Sequence, residues 1–425
     1  MDCSVAGAGA LDAKTHSVSL EGAALDSLRD RELLRLHEWI ELTLHVGLAR
    51  EHETADDAGL PGWGLSLGRA RVLLSATDAT LAEEVLLTKR NAVEHALFDD
   101  GGQDRGQGGQ PTVLSALQAA FALSRFELQV LLLALAPDLH GTYAKAIGFL
   151  HDDLNRRRMS TTLLLQLLGS ESRPIDLWNA LDDHRPLGRY GLLLEEIGDT
   201  SPISERGWVV AEDIGRFVVQ GLVSTRGASL AVRLAQPRPG VPLSRSTTRL
   251  RDELAAWLDR VNHTEISRNG QGGAGQEVCR SDLDGVAEVL RLALDPGALT
   301  WFESACDELQ IPVVCLDVER FEGGGGAELV DKIMDHVLCA ARLARLADGL
   351  LLLVRPTGLP KGLSALLDGV VIPRLQCLVT KLAVAGDVAW VGHSLRPVRC
   401  IRRPVLDAAS GEALWQESQN RWALR

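Results

Sequence analysis

The feature that most constrains this chain is the alternation of apolar runs with helical patterns in its second half. The apolar runs occupy residues 289–294, 311–316, 350–354 and 388–391, and the helical patterns between them occupy residues 298–309, 329–341 and 363–382. The run Leu350–Val354 has no polar residue, which is typical of a strand that is covered on both faces. Strands and helices in alternation predict a parallel sheet with helices on both sides. We therefore expect an α/β fold for this half.

The first part of the chain is predicted to be helical and to end in a linker. Leu36, Ile40, Leu44 and Leu48 recur at the helical spacing of one amphipathic stripe. Residues 99–110, DDGGQDRGQGGQ, contain no apolar residue and should form a flexible linker. A chain of 425 residues suggests two or three domains at roughly 150 residues per domain. We predict a helical region at 1–110, a second domain at 111–234 and the α/β domain at 235–425.

Residues 111–234 combine helices with a predicted β-hairpin. Ser124 is followed three residues later by Glu127, the spacing of a capping box at a helix start. Two short apolar runs, at residues 187–197 and 208–217, are separated by the turn-rich segment GDTSPISERG. Helices that close with a hairpin predict a winged-helix-like module, which is a helix-turn-helix core with a β wing.

The charge balance limits the partners of the chain. Its 57 acidic and 44 basic side chains give a net charge of −13, which disfavours non-specific binding to phosphate backbones. The basic triplet Arg156, Arg157 and Arg158 could contact DNA, or it could compensate the neighbouring Asp152 and Asp153. We favour the second interpretation and predict that nucleic acid is not the partner.

Three further features predict a cytoplasmic protein without membrane insertion. The longest apolar runs are far shorter than the ~20 residues of a membrane helix. Seven cysteines form no C-x-x-C pair and lie mostly within apolar stretches, as expected for reduced thiols. The first ten residues lack the basic stretch and apolar core of a secretory signal.

An α/β domain of this type raises the question of a phosphate-binding loop, which needs glycines, a lysine and a Ser or Thr hydroxyl. One candidate is the glycine-rich segment GQGGAGQE, which has Gln276 and Glu277 where the lysine and the hydroxyl belong. A surface loop explains this segment better, because the preceding residues make a poor strand. Its glycines are Gly270, Gly272, Gly273 and Gly275.

A second candidate loop follows the predicted strand at residues 289–294. Its sequence is DPGALT, and a helix and the next strand come at the spacing that a phosphate-loop unit requires. Leu299 stands at the lysine position, so only Thr300 keeps its expected chemistry. The positions of this degenerate nucleotide site are Asp295, Pro296, Gly297 and Thr300.

The ends of the later strands also lack the groups that nucleotide hydrolysis needs. The third strand should end in an acid that holds magnesium and a second acid that polarises water. It ends instead in Val354 and Arg355. His393 follows the fourth strand, where a polar residue usually orients the attacking water, although a lone histidine there is more often a surface residue.

Several motifs together resemble a known family. The segment DVER at Asp317–Arg320, the helix end ARLARLADG, the strand LLLLV and the late PVLDAASGEALW look like a degenerate AAA ATPase module. The segment from Ser124 to Gly169, SRFELQVLLLALAPDLHGTYAKAIGFLHDDLNRRRMSTTLLLQLLG, is similar to the winged-helix region that precedes tandem AAA modules in ATPases of extracellular contractile injection systems. The resemblance implies a first, weakened AAA module, which members of that family usually follow with a second, intact one.

The combined expectation is a non-hydrolytic AAA-like scaffold or adaptor protein whose partners are an intact AAA ATPase or components of an injection particle. One alternative is an ATP-binding subunit of an AAA assembly whose catalytic module comes from another chain. A second alternative is a winged-helix DNA-binding regulator. No catalytic residue and no cofactor are expected, with ATP and magnesium left open. No metal site is predicted, because His37 and Glu38 lie in HEWIE, which lacks the second histidine of H-E-x-x-H.

Overall fold

The computed structural model describes most of the chain. The described residues are 12–54, 74, 81–98, 111–168, 174–196, 201–225, 230–237, 245–270, 288–292, 296–321, 327–386, 391, 394–401, 412 and 416. The chain forms two compact units, Met1–Gly221 and Leu222–Arg425. The boundary predicted at residue 110 lies within the first unit, and the one predicted after residue 234 lies within the second.

The first unit is mainly helical, as the sequence predicts. Its described helices are α1 (Asp12–Thr54), α2 (Glu83–Phe98), α3 (Val113–Phe121), α4 (Arg125–Leu139), α5 (Gly141–Leu150), α6 (Thr161–Leu168), α7 (Pro174–Ala180), α8 (Pro186–Arg189) and α9 (Glu212–Gln220). Its described strands are β1 (Met159–Ser160), β2 (Leu193–Glu195) and β3 (Gly207–Val210).

Local sequence signals explain the most buried helix of this unit. Ser124 caps α4, and its backbone N–H donates to the Glu127 carboxylate at 2.8 Å while its side chain accepts from the Glu127 backbone. The predicted capping box is therefore confirmed. From Leu128 to Ala136 every residue of α4 is buried, so the helix lies at the centre of the unit. Burial of this run supplies much of the unit's hydrophobic stabilisation.

A small antiparallel sheet completes the first unit. Its strand order is β1-β3-β2, and the β2–β3 pair with Leu193 opposite Val210 is the predicted hairpin. The second run of that hairpin ends earlier than predicted, because α9 starts at Glu212. Ile214, Phe217 and Val218 are spaced as on one face of a helix, and all three are buried. A strand would turn successive side chains to opposite faces and could not bury all three on one side.

The second unit is built on a six-stranded mixed sheet. Its strand order is β4-β6-β7-β8-β5-β9, and all neighbouring strands are parallel except β4, which is antiparallel to β6. The strands are β4 (Val232–Ala235), β5 (Val289–Leu292), β6 (Val313–Asp317), β7 (Leu350–Val354), β8 (Leu382–Ala385) and β9 (Val398–Cys400). The α/β prediction is thus correct, with an antiparallel edge strand that it does not include.

Helices cover both faces of this sheet. The described helices are α10 (Arg245–Gly270), α11 (Pro296–Glu308), α12 (Ala327–Leu346), α13 (Lys361–Leu366) and α14 (Ile372–Leu378), with a π-helical turn at Leu367–Val371 between the last two. Trp257 of α10 and Phe302 of α11 pack with Leu352 and the other strand residues on one face. Alternate strand residues, such as Leu351 and Leu353, are buried on the opposite face.

The fourth parallel strand differs from its prediction. The sequence pattern predicts a helix through residue 382 and a strand at residues 388–391. The helix ends at Leu378, and β8 begins at Leu382. The short run Leu382–Ala385 is fully buried between β7 and β5, so sheet pairing overrides the helical pattern there. Residues 388–390 lie outside the described residues.

Within the described part of the chain, no single helix is long and apolar enough to cross a membrane. Helices α3 and α4 together meet the length and composition requirement, but the pair is bent by 119° at the break between them.

Candidate functional site

The connections of the second sheet define one position where a ligand would bind. The chain leaves β5 and crosses β8 and β7 to reach β6, whereas it leaves β8 and crosses β5 to reach β9. Adjacent strands β5 and β8 therefore connect in opposite directions, which makes their carboxyl ends a topological switch point. Ligands of open α/β sheets bind in the crevice at such a point. This edge of the sheet is our candidate site.

The second candidate loop of the sequence lies at this switch point. β5 ends at Leu292 and α11 begins at Pro296, so the segment has the strand–loop–helix arrangement of a phosphate loop. Gly297 and Thr300 lie in the first turns of α11. Asp295 lies outside the described residues.

The glycine-rich segment GQGGAGQE begins at the end of a helix rather than after a strand. Gly270 is the last residue of helix α10, so it does not follow a strand as the first glycine of a phosphate loop should. Gly272, Gly273 and Gly275 lie outside the described residues, as does His393 after the fourth strand.

Arg355 lies at the same edge of the sheet, at the end of β7, which neighbours β8. It directly follows Val354, the last residue of β7, and its side chain is 6% exposed. Its Nη2 donates to the hydroxyl of Ser364 at 2.5 Å and to Oδ2 of Asp368 at 3.1 Å. Its Nη1 lies 3.1 Å from Oδ1 of Asp368, an ion pair without hydrogen-bond geometry. A cation at the end of the third strand therefore bonds to groups of the protein itself.

The partners of Arg355 come from the helical segment that follows the same strand. Ser364 lies in α13, and Asp368 lies in the π-helical turn that joins α13 to α14. A π turn inserts one residue into a helix, which rotates the side chains that follow it, and such turns occur frequently at functional sites. This turn contains a carboxylate that is nearly buried and pairs with the strand-end arginine.

Gly386 directly follows β8 and lies against the backbone of Arg355. A Cβ atom at this position would lie 2.8 Å from the carbonyl oxygen of Arg355, so only glycine fits without a shift of the backbone. The Gly386 N–H donates to the carbonyl of Leu292, and the Arg355 N–H donates to the carbonyl of Ala385. These bonds hold the ends of β7, β8 and β5 together.

The segment before β9 is organised around a second buried arginine. Arg396 donates from Nη1 to the carbonyls of Gln376 and Val379, and from Nη2 to the carbonyl of Thr380. These carbonyls lie at the carboxyl end of α14, where the helix itself provides no donors. Arg396 therefore caps a helix and positions the chain that enters β9.

The basic triplet of the first unit is engaged in contacts within the unit. Arg156 donates to Glu205 at 2.6 Å and to Ser201 at 2.8 Å, and Arg158 pairs with Asp138 at 2.6 Å. Arg157 donates to the carbonyl of Leu154. The partners of Arg156 and Arg158 differ from the expected Asp152 and Asp153, because the wing and α4 bring more distant acids into reach.

Two aromatic and histidine positions of the first unit have structural roles. Trp208 is buried and its Nε1 donates to the Thr161 hydroxyl at 3.0 Å. His37 Nδ1 lies 2.8 Å from the hydroxyl of buried Tyr143, which in turn donates to Glu41. Burial, with a smaller effect from His140, lowers the pKa of His37 and so favours the neutral imidazole. Within the described residues, no group of three His, Cys, Asp or Glu side chains is arranged to bind a metal ion.

Helix α7 presents a surface of the first unit that the sequence patterns do not predict. It follows α6, as the recognition helix follows the first helix of a DNA-binding helix-turn-helix, and the short helix α8 separates it from the hairpin. Ile175 and Trp178 are exposed, whereas Leu177 and Ala180 are buried. The helix therefore turns two large apolar side chains outward.

Comparison with known proteins identifies the class of the first unit. Residues 30–222 match the family model described as a winged helix domain, variant. The matched range contains α2 to α9 and the β1-β3-β2 sheet, so this part of the chain is a winged helix domain. No curated protein and no solved structure matches the chain.

Proposed function

We propose that the protein is a non-hydrolytic binding protein, in which a winged helix domain for protein contact is joined to a degenerate AAA-like scaffold. Its proposed partners are an intact AAA ATPase or components of a contractile injection system. The observation that carries the proposal is the closed cluster of Arg355, Ser364 and Asp368 at the carboxyl end of β7, beside the switch point of the sheet.

The chemistry of this cluster argues against nucleotide hydrolysis. Phosphoryl transfer depends on positioned charges, including an acid that holds magnesium near the end of the third strand. Val354 stands at that end, and the guanidinium of Arg355 would repel a magnesium ion. Two carboxylates lie near this strand end, and both are paired: Asp368 with Arg355, and Asp317, opposite Val354 on β6, with Arg320. Loss of one such group costs orders of magnitude in turnover, so loss of the whole set should abolish it.

The winged helix domain supports protein contact rather than DNA contact. The arginines next to α5 are paired with acids of the same domain, which leaves their charges compensated. Helix α7 contains a single charged residue, Asp176, and Arg173 and Arg185 flank residues 174–184 in the sequence. Binding to DNA relies on basic groups that neutralise phosphates, and α7 itself provides none.

A second candidate function is nucleotide binding without hydrolysis, with the catalytic module supplied by another chain. The observation in its favour is the strand–loop–helix unit of β5 and α11 at the switch point. A helix start at that edge can accept an anion through its backbone N–H groups. This candidate needs the site to open, because Arg355 and Asp368 now bond to each other.

Two measurements on the purified full-length protein test these candidates. The scaffold proposal expects no magnesium-dependent ATP hydrolysis and no saturable signal with a fluorescent ATP analogue. Turnover of ~0.1 per second or faster, within the ordinary range of enzymes, would refute it. Saturable binding that a Thr300→Ala variant loses, without turnover, would instead establish the nucleotide-binding subunit.

The proposed link to a contractile injection system rests on the sequence resemblance of residues 124–169. Size-exclusion chromatography of the purified protein, mixed with an intact AAA ATPase of such a system or with its particle components, tests it. A stable complex with one of them is the expected result. If every component elutes as it does alone, the proposed partners are wrong, whatever the nucleotide assays give.

A further inference from the structure

A cluster of ionisable side chains lies between α1 and α5 in the first unit. His37 and Glu41 are one turn apart on α1, Tyr143 lies in α5, and His140 is the N-cap residue of α5. His37 Nδ1 lies 2.8 Å from the Tyr143 hydroxyl, and this hydroxyl donates to Glu41 at 3.2 Å. The ring centroids of His37 and His140 lie 5.7 Å and 5.6 Å from that of Tyr143. These four side chains form what we call the α1–α5 cluster.

The hydrogen bonds of this cluster determine where His37 can take up a proton. A tyrosine hydroxyl carries a single proton, and Tyr143 donates its proton to Glu41. Nδ1 of His37 is therefore the donor in its bond to the tyrosine oxygen. A second proton enters the His37 ring at Nε2 and makes the ring an imidazolium beside buried Tyr143. Protonation thus adds a charge to the contact without adding a bond to Tyr143.

His140 caps α5 through a nitrogen that accepts hydrogen bonds. The backbone N–H of Thr142 donates to Nδ1 of His140 at 3.4 Å, and the Thr142 hydroxyl also contacts this nitrogen. A protonated Nδ1 has no lone pair with which to accept these bonds. It would also place a positive charge at the N-terminus of a helix, where the macrodipole disfavours cations. Protonation of His140 therefore removes the cap of α5.

Among the described residues, the helices packed on α1 offer little charge to compensate an imidazolium at His37. On α2, Glu94 accepts from Trp39, which lies roughly 200° around α1 from His37. Helix α6 has the sequence TTLLLQLL, which contains no ionisable side chain. The charged neighbours along the chain are paired or exposed, namely Asp138, which pairs with Arg158, and Glu38 and Lys145, which face solvent. Burial therefore dominates and lowers the pKa of His37, with a smaller effect from the charge of His140.

We propose that the α1–α5 cluster is an acid-sensitive latch, in which protonation of His37 and His140 releases α1 from α5. The contact is closed when both rings are neutral, and Tyr143 is then buried. In acid, the two charged rings repel each other across Tyr143, and the cap of α5 is lost. Release of α1 uncovers Tyr143 together with Leu36 and Ile40, two buried apolar side chains close to His37 on α1. This inference goes beyond the proposed function and does not depend on it.

The direction of the pH effect follows from the lowered pKa of His37. A released histidine has a pKa of about 6.5, whereas His37 in the closed contact takes up its proton only at a lower pH. The stabilisation by the closed contact is therefore complete above about pH 6.5 and is lost as the pH falls through the lower pKa of the closed state. For any group, a pKa lowered by about one in the closed state favours release about tenfold in acid.

Hydrogen exchange of the full-length protein, measured by mass spectrometry on peptides of α1 and α5, tests the latch at about pH 7.5 and about pH 5. After correction for the intrinsic exchange rate, protection of these peptides should fall about tenfold or more at the lower pH. The double variant His37→Asn, His140→Asn should keep its protection at both pH values. Asparagine retains an N–H donor and is a preferred N-cap residue, but it does not titrate. His184→Asn, which changes an exposed histidine of the same domain, is the matched control and should behave like wild type.

Several outcomes would overturn the proposal. One is equal protection of the wild-type protein at both pH values, and another is an equal fall in the wild-type protein and the double variant. An equal fall in peptides of β7 and α12 would indicate general acid unfolding instead of a latch. If the double variant is unfolded at neutral pH by circular dichroism, the single variants are measured, and the proposal fails unless one of them reduces the fall. Nuclear magnetic resonance titration of the wild-type protein is an independent check, because a His37 pKa at or above about 6.5 contradicts the latch.

Discussion

The two units differ in the exposure of the side chains at their candidate binding positions. In the winged helix domain, Leu177 and Ala180 of α7 are buried, whereas Ile175 and Trp178 of the same helix are exposed. In the α/β unit, Arg355 at the end of β7 and Asp368 face each other and are nearly buried. The fold alone therefore does not decide function, because the orientation of a few side chains determines whether a candidate site can accept a ligand.

The largest expected effect tests whether the Arg355–Asp368 pair closes the α/β site. Asp368→Ala leaves a buried guanidinium without its counter-charge, so the free energy of unfolding of this unit should fall by about 3–5 kcal/mol. Urea unfolding followed by circular dichroism measures it. The double variant Arg355→Met, Asp368→Leu should recover most of the loss, since it removes both charges together.

The matched control for this prediction is Asp252→Ala in α10. Asp252 pairs with Arg251 on the surface of the same unit, and Arg251 also bonds to Glu308. Surface ion pairs contribute little, so this variant should unfold like wild type. Should Asp368→Ala behave like the control, the pair does not hold the site closed, and the contrast between the two units disappears.

A smaller effect is expected at Gly386, which sharpens the same comparison. Gly386→Ala places a Cβ atom 2.8 Å from the carbonyl oxygen of Arg355, so the ends of β7 and β8 must separate. We expect a loss of about 1–3 kcal/mol in the free energy of unfolding, the range for overpacking in a dense interior. Thermal unfolding monitored by circular dichroism provides the measurement.

Gly362→Ala is the control for Gly386→Ala. No heavy atom lies within 4 Å of a Cβ at Gly362, and the residue is in helix α13, where alanine is favoured over glycine. This variant should be neutral or slightly more stable. Equal stability of both variants would show that the strand ends are not tightly packed at Gly386.

The sequence predicts the framework of both units and misses the groups that distinguish them. The apolar runs of β5, β6 and β7 and the capping box of Ser124 are local signals, because each depends on neighbouring residues alone. The position of β8 was not predictable in this way, since Leu382–Ala385 becomes a strand only through its pairing with β5 and β7. Strand β4 likewise forms by pairing with β6 far along the chain.

Local sequence patterns also do not predict which side chains meet at the candidate sites. Val354 and Arg355 follow from the end of an apolar strand, but Ser364 and Asp368 approach Arg355 only because the chain returns over the sheet edge through a π turn. The segment PIDLWNALDDH has apolar residues on several sides of a helix, so its sequence alone does not reveal which of them face the core. A helix start at Pro174 combined with the acidic run after Ala180 is the signal that could have drawn attention to it.

The smallest expected effect concerns the paired arginines of the winged helix domain. Arg156→Ala and Arg158→Ala each remove a partly exposed ion pair, with Glu205 and with Asp138, so each should cost no more than about 1 kcal/mol, and less in high salt. Thermal unfolding in low and high salt measures this. Because these charges are compensated within the domain, neither variant should change the signal of the protein in a titration with labelled duplex DNA. A marked loss of DNA binding in Arg156→Ala, with Trp178→Ala unaffected, would place a contact surface of this domain at the arginines and not at α7, and would reverse the contrast drawn between the two units.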